Sequence, residues 1–441
     1  MNAIDQALQS IWYPCSQMKD YQSLPPIFIK QASGSILYDQ DDRPIIDAIS
    51  SWWCKSLGHR HPELQQAIFD QMEKFEHIIG TNTVSQALTD LSLKLTQLHK
   101  PLNKVFYTGD GSCAVEVAMK MSLHSRKILD QNRRHQFVSL GNSYHGETLA
   151  TLSVSDVGIY KSAYDKACCP CLHLDPLPYV NHIDDQNWND ASDAWHHIEP
   201  QLNAIKHKIT AIIVEPILQG AGGMKIYSAD FLNRLASFAK AHDIHLIADE
   251  IMTGFGRTGK TLAIEHARIE PDFICLSKSR TAGTLGMSAI LTSQKISDLF
   301  YDDYETGKSF LHSNTYGGNA LAAAVANKTL EIYQRDNINQ QAQQLGQKML
   351  QGMQTVMHET SAITNLRHIG AMVAADLRFD HPRAGFEVFK RAIKLGAFLR
   401  PLGNTLYWLP PMNTPDNVID QLTDITIQSL QAFKHDIGST K

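Results

Sequence analysis

The stretch Ile244–Thr261, "IHLIADEIMTGFGRTGKT", fits two nucleotide-binding patterns at once. Gly254–Thr261 satisfies G-x-x-x-x-G-K-[ST], the phosphate cradle, and Gly254–Gly259 satisfies G-x-G-x-x-G, the dinucleotide turn. Both designs need a strand directly before the first glycine and a helix opening at the last. Here the apolar run Ile244–Ala248 ends in two carboxylates, Asp249 and Glu250, before the glycines begin. Fixed negative charge at a strand end is a poor neighbour for a triphosphate. An ATPase also wants a later apolar run closing on an acidic residue for magnesium, whereas "FICLS" closes on Lys278. A dehydrogenase wants its glycines without the intervening "DEIMT". The glycine spacing is a coincidence, and the strand end with Asp249 is the informative part.

Similar runs recur from about residue 100 to 300: "NKVFYTGDGS", "HQFVSLGNSYHGE", "TAIIVEPILQG" and "DFICLSKSR", separated by longer helical stretches. Continuous apolar runs predict strands buried on both faces of a mainly parallel, helix-covered sheet, an α/β design. Ligands of such sheets gather at the carboxyl ends of the strands. Those ends carry Gly111, Ser112, Tyr144, Glu215, Asp249 and Lys278. After residue 318 the pattern changes to that of a smaller α+β domain. "NALAAAVANKTLEIY" suits a long helix, and "GFEVFKRAIKLGAFLRPLGNTLYWLPP" reads as helix, Gly396 stop, strand, turn and strand. A last helix is expected to begin at Thr414, with Pro415 as its first helical residue and a stripe of Val418, Leu422 and Ile425. The expected division is 1–60 as a strand-and-turn segment packing with the small domain, 61–318 as the large domain, and 319–441 as the small domain.

With 441 residues, 43% of them hydrophobic, the chain can build one large or two medium cores. A net charge of −5 gives no electrostatic case for nucleic acid. No apolar stretch is long enough to cross a bilayer, and "MNAIDQALQS" lacks the basic-then-apolar order of an export signal. A cytoplasmic location is therefore expected. The seven cysteines are scattered apart from "CCPC" (Cys168, Cys169, Cys171), which has no second ligand pair at zinc spacing. Reduced thiols and no metal are expected.

Lys278 ends an apolar run, where a bare ammonium is costly unless it is paired or used covalently. Taken alone it reads as a lysine reaching solvent, and Asp249 as a turn carboxylate. Together they match the needs of pyridoxal phosphate chemistry: one lysine to carry the cofactor and one carboxylate to keep its ring nitrogen protonated. The interval between them leaves room for one crossover between parallel strands. Gly111 and Ser112, just before a nearly all-apolar helix from Ala114, would offer backbone N–H groups and a positive dipole end to the phosphate. Tyr144 in "GNSYHGE" could stack on the ring.

"IIVEPILQGAGGM", "LIADEIMTGFGRTGK" and "PDFICLSK" resemble the class III aminotransferases, pyridoxal-phosphate-dependent transferases of fold type I, and the resemblance extends over nearly the whole chain. More narrowly, "IWYPCSQM", "ISSWWCKSLGHRHPEL", "GDGSCAVEVAMKM", "HSNTYGGNALAAA" and "LRPLGNTLYWLPP" are similar to the members of that family that serve biotin synthesis. The paired tryptophans after two serines are the most discriminating piece. The resemblance implies pyridoxal 5'-phosphate as cofactor and a homodimer with shared active sites. It implies ping-pong transfer of the amino group of S-adenosylmethionine to 8-amino-7-oxononanoate, giving 7,8-diaminononanoate.

By the same resemblance, Lys278 carries the cofactor and shuttles the proton, and Asp249 pairs with the ring nitrogen. Gly111, Ser112 and Cys113 hold the phosphate, which Asn314 and Thr315 reach across the dimer interface. Glu215 lies near the cofactor face, holding Arg257 or its own strand. Trp52, Trp53, Tyr144, Ser313, Arg400 and Tyr407 line the substrate pocket, and Arg257 tunes substrate geometry or makes a structural ion pair. Arg400, its backbone held extended by Pro401, would grip the remote carboxylate of the acceptor. Two positions depart from the family pattern. Cys15 stands where many relatives place a substrate-contacting tyrosine, and Arg280 stands two positions after the lysine, where relatives usually carry small or apolar residues. Transfer from lysine or another ω-amino donor remains an alternative. More remote are an ATP-binding protein and a catalytically silent, cofactor-binding regulator.

Overall fold

The structure, a computed structural model, describes residues 2–438. At its centre is a seven-stranded sheet. Its spatial order is Lys104–Thr108, Ser288–Thr292, Phe273–Leu276, His245–Asp249, Ile209–Val214, Gln136–Leu140, Cys171–Leu174. Only Ser288–Thr292 runs against its neighbours; the other pairings are parallel. Every expected run is a strand of this sheet. Two further strands were not expected. "SAILT" carries no mark of its direction, and Cys171–Leu174 is a partly exposed edge strand hidden inside the cysteine cluster.

The four central runs are buried from end to end because both faces are covered. Ile213, Ile247, Phe273, Cys275 and Ile290 pack with Ala114, Val115 and Ala118 of the helix Gly111–Ile128. Their alternates, Ile212, Val214, Leu246, Ala248, Ile274 and Leu276, share a core with Leu232 and Leu235 of the helix Ala229–Ala241. Each buried aliphatic side chain contributes roughly 1.5–3 kcal/mol. The helix Gly111–Ile128 starts sharply because Asp110 caps it, its carboxylate accepting the Cys113 N–H at 2.9 Å.

The long helix Ala320–Arg335 leads into a C-terminal unit. There the helix Ile338–Thr360 and the last helix, Asp416–Gly438, pack with the antiparallel strands Ile363–Ile369, Met372–Leu377 and Thr405–Trp408. The last helix begins at Asp416, just after Pro415, and buries Val418 and Leu422 with Ile425 half-buried. Gly396 stops the helix Ala384–Leu395 in the left-handed region, φ 101°. The two short strands that follow do not form a hairpin. Ala397–Phe398 pairs in parallel with Pro44–Asp47, joining the N-terminal strands Ile29–Ser33 and Ile36–Asp39 in a second sheet. The N-terminal stretch therefore shares a sheet with the C-terminal chain. Among the described residues no helix is long and apolar enough to cross a membrane.

Gly370, in the turn between two strands of the C-terminal sheet, is where this unit meets the glycine-rich loop. Its φ is +50°, and a Cβ there would lie 2.3 Å from the Gly259 nitrogen and the Thr258 carbonyl carbon. Gly307 has a similar φ of +64° with nothing within 4 Å of a built Cβ. Gly370→Ala should therefore lower the melting temperature clearly more than Gly307→Ala. The extra overpacking cost should be on the order of 1–3 kcal/mol. Equal losses in thermal denaturation would mean that the loop yields without cost.

Candidate active site

A cavity of about 260 Å³ opens at the carboxyl ends of the central strands. Asp249 and Lys278 line it from neighbouring strand ends, for the ladder pairs Asp249 with Cys275, three residues before Lys278. Asp249 is buried and held from two sides: one carboxylate oxygen meets His145 Nδ1 at 2.9 Å, the other accepts the Ile251 N–H at 3.1 Å. Lys278 begins a single 3₁₀ turn in a left-handed conformation, φ 45°, with Nζ 5.1 Å from the centroid of the Trp53 ring. Burial lowers its pKa against the opposing pull of Asp249 and Glu215.

Glu215 lies wholly inside. It accepts the Tyr144 N–H and the Gly220 N–H, each at 2.9 Å, and so fixes Tyr144 at the cavity wall. Burial is the largest influence on it and raises its pKa to about 7. Of the two options for Glu215 it holds its own strand end, and Arg257 is elsewhere. Arg257 is fully buried outside the cavity lining, donating to the carbonyls of Ala371 (3.1 Å) and Pro410 (3.0 Å). It clamps the glycine-rich loop to the C-terminal unit through carbonyls, with no carboxylate partner among the described residues.

The expected phosphate end is present in part. Asp110, Gly111 and Ser112 line the cavity at the start of the helix Gly111–Ile128. Cys113 does not line it; its thiol donates to Asp110 at 3.1 Å, and burial followed by that carboxylate pushes its pKa up to about 11. Ser313, Asn314 and Thr315 are also absent from this cavity, on a segment with no helix or strand before the turn at 315–318.

Trp52, Trp53, Tyr407 and Arg400 all line the cavity. The tryptophans sit on four consecutive left-handed residues, Ser50 to Trp53, with φ from 44° to 73°. Such a turn costs roughly 1–2 kcal/mol per residue for L-amino acids. Side chains hold it in place. Ser50 donates to the Leu409 carbonyl (2.6 Å), Asp47 accepts from Ser51 N–H (2.9 Å) and hydroxyl (2.7 Å), and Trp53 Nε1 donates to Tyr407 Oη (3.0 Å). Arg400 is not extended: its φ is 34°. Its guanidinium is fastened at the cavity mouth, 4.4 Å over the Trp52 ring and donating to the Cys15 carbonyl at 3.0 Å. That anchoring overrides the conformational bias of Pro401. Cys15 is exposed there, its thiol 3.8 Å from Glu147.

His145, Glu147 and Tyr160 also line the cavity and were missed. His145 and Glu147 lie in "SYHGE" beside Tyr144, but nothing in that string says that His145 turns to Asp249. Glu147 accepts the Tyr144 hydroxyl at 2.8 Å, and Tyr160 packs its ring edge-on to Tyr144. The glycine-rich loop closes on itself: Phe255 N–H donates to Thr261 O, Gly256 N–H to Lys260 O, and Gly259 N–H to Gly256 O. Donors that a triphosphate would need are already in use.

This architecture recurs in solved transaminases. An omega transaminase from Pseudomonas jessenii in complex with PMP superposes with a TM-score of 0.91 at 24% identity, covering 99% of both chains. An adenosylmethionine-8-amino-7-oxononanoate aminotransferase from Methanocaldococcus jannaschii gives 0.90 at 27% identity over 97% of this chain and 98% of that one. Residues 17–430 match the family described as aminotransferase class-III. A Helicobacter pylori protein, also named adenosylmethionine-8-amino-7-oxononanoate aminotransferase, is 41% identical over 92% of each chain. An Aquifex aeolicus protein of that name is 31% identical over 97% of this chain and 96% of the other. The chain has the fold of the type I pyridoxal-phosphate transferases. It belongs to the class III aminotransferases and is a pyridoxal-phosphate-dependent enzyme. The site fits that cofactor: a desolvated lysine, a buried carboxylate beside it, a capped helix start, and a buried His145 whose Nε2 has no partner among the described residues.

Glu215 gives a pH signature. Its folded pKa of about 7 lies above the ordinary 4.5, so the folded state keeps a proton that the unfolded chain releases. Its contribution to stability therefore falls as pH rises from 4.5 to about 7 and is flat above. In cofactor-free protein, the stability of Glu215→Gln relative to wild type should improve across that window. A pH-independent difference in denaturant midpoint would show that Glu215 is ionised throughout.

Proposed function

We propose that the enzyme transfers the amino group of S-adenosylmethionine to 8-amino-7-oxononanoate, giving 7,8-diaminononanoate, in two half-reactions at one site. The observation that carries this reading is the polarity of the cavity: a lysine and a carboxylate at its floor, and Arg400 fixed over Trp52 at its mouth. An acceptor with a ketone near one end and a carboxylate at the other spans such a site. The relatives named for this reaction, up to 41% identical, support it.

When bound, pyridoxal phosphate stores the amino group and delocalises the electron pair left by the broken C–H bond. Lys278 Nζ holds the cofactor and then moves the proton, a task suited to an amine whose basicity burial has reduced. Asp249, oriented by His145 and the Ile251 N–H, holds the proton of the ring nitrogen. Gly111 and Ser112 receive the phosphate at the positive end of their helix. Tyr144, fixed through Glu215, would cover the cofactor ring, and Trp53 with Tyr407 would help exclude water from the site. Glu147 offers the cationic donor a carboxylate at the mouth.

The enzyme acts as a homodimer in the cytoplasm, Asn314 and Thr315 of each copy completing the phosphate site of the other. Support comes from their segment: Tyr301, Tyr304 and Leu311 are each about nine-tenths exposed and Tyr316 is exposed as well, an apolar surface that asks for cover. Donor choice is the point at which Cys15 matters, for its thiol lies against Glu147 while its backbone carbonyl holds Arg400.

Arg400→Ala should weaken binding of 8-amino-7-oxononanoate by about 2–5 kcal/mol, the loss expected when a carboxylate loses its charged partner. The half-reaction with S-adenosylmethionine, followed in single turnover, should suffer less. Arg400→Lys should recover only part, since an ammonium lacks the planar fork. Equal damage to both half-reactions would assign Arg400 to the fold, and absence of transfer from S-adenosylmethionine would favour another ω-amino donor.

A further inference from the structure

Four arginines are buried among the described residues, and three have obvious partners. Arg126 pairs with Asp243 at 2.9 Å, Arg367 with Asp376 at 2.9 Å, and Arg257 donates to two carbonyls. Arg280 is the fourth, with no exposed surface, and none of its three guanidinium nitrogens has a hydrogen-bond partner among the described residues. Its one marked contact is with the Tyr107 ring, 5.8 Å from the guanidinium carbon to the centroid. Burial pushes its pKa down to about 10, still far above neutrality, so it is a cation. An uncompensated buried charge is expensive, and a hydrophobic residue of similar volume is usually the more stable choice.

The position of Arg280 suggests what offsets that cost. It belongs to the same single turn as Lys278, residues 278–281. Tyr107 lies in the strand Lys104–Thr108, which runs directly into Asp110, Gly111 and Ser112 at the expected phosphate end. The cavity itself is acidic. Asp110, Glu147 and Asp249 line it, with Glu215 sharing its proton near neutrality, against two strong cations among the lining residues, Lys278 at the floor and Arg400 at the mouth. A phosphate entering beside Asp110 meets negative charge and no lining cation of its own.

We infer that Arg280 is a buried countercharge for the cofactor phosphate, acting through space from behind the Lys278 turn. It is a positioning residue that touches neither substrate nor cofactor, and it is retained at a cost in stability. This inference rests on the assignment of Lys278 and of the Gly111–Ser112 helix start to the cofactor.

The test uses cofactor-stripped full-length protein as wild type, Arg280→Met, Arg280→Gln and Arg280→Lys. Each is titrated with pyridoxal phosphate and, separately, with pyridoxal, which lacks the phosphate, following visible absorbance. Both neutral variants should bind pyridoxal phosphate roughly tenfold more weakly, the scale of one charge acting through protein. They should bind pyridoxal as wild type does. Arg280→Lys should stay near wild type for both ligands. Cofactor-free Arg280→Met should melt at or above the wild-type temperature, because an unpaired buried cation has been removed. Unchanged pyridoxal phosphate affinity in the neutral variants would overturn the inference, as would equal losses for the two ligands. Failure of both neutral variants to fold, or a clearly lower melting temperature, would assign Arg280 to the fold and overturn it as well. If the wild type itself develops no visible band with pyridoxal phosphate, it is the cofactor assignment that falls.

Discussion

The parallel pairing of His245–Asp249 with Phe273–Leu276 is the constraint on which the site depends. Its register sets Asp249 beside Cys275 and so brings a carboxylate and Lys278 to one end of the sheet. Both strands are buried on both faces, so a slip along the strand direction would push apolar side chains out at one end of the sheet and draw polar ones in at the other. The chemistry is thus positioned by hydrophobic packing remote from it. The groups at the strand ends then adjust one another's proton affinities. Burial raises Glu215 to about 7 and lowers Lys278, while Asp249 and Glu215 favour the charged lysine.

Against this rigid floor stands a wall built from strained backbone. The four left-handed residues Ser50 to Trp53 belong to the N-terminal segment, yet two of their anchors, the Leu409 carbonyl and Tyr407 Oη, come from the C-terminal unit. Arg257 reaches the same region, donating to Ala371 and Pro410 and lying 3.4 Å from Ser50 Oγ. Distant parts of the chain therefore hold the tryptophans over Lys278 and under Arg400. The cavity exists only when the N-terminal segment, the sheet and the C-terminal unit are assembled.

Much of this was legible in the amino-acid order. Unbroken apolar runs marked the buried strands, and their polar ends marked Glu215, Asp249 and Lys278. Strand direction was not legible, because Ser288–Thr292 carries the same residue types whichever way it runs. Long-range partners were equally hidden. Nothing in "SYHGE" ties His145 to Asp249, and nothing in "LRPLGN" announces that Arg400 adopts a positive φ to lie on Trp52. The arginine in the glycine-rich loop reads from sequence as a substrate-tuning residue or half of a structural ion pair, and sits instead as an interior clamp on carbonyls contributed from residues more than a hundred positions away. Side chains that answer to local spacing could be read; those that answer to tertiary contacts could not.

The central claim is that Lys278 carries the cofactor. Borohydride reduction of the yellow holoenzyme, followed by proteolysis and mass mapping, tests it most directly. The cofactor should be found fixed to the peptide containing "CLSKSR", on Lys278, with no second lysine labelled to a comparable extent. Cofactor fixed to any other lysine, or not fixed at all in protein that retains full transfer activity, would contradict the account.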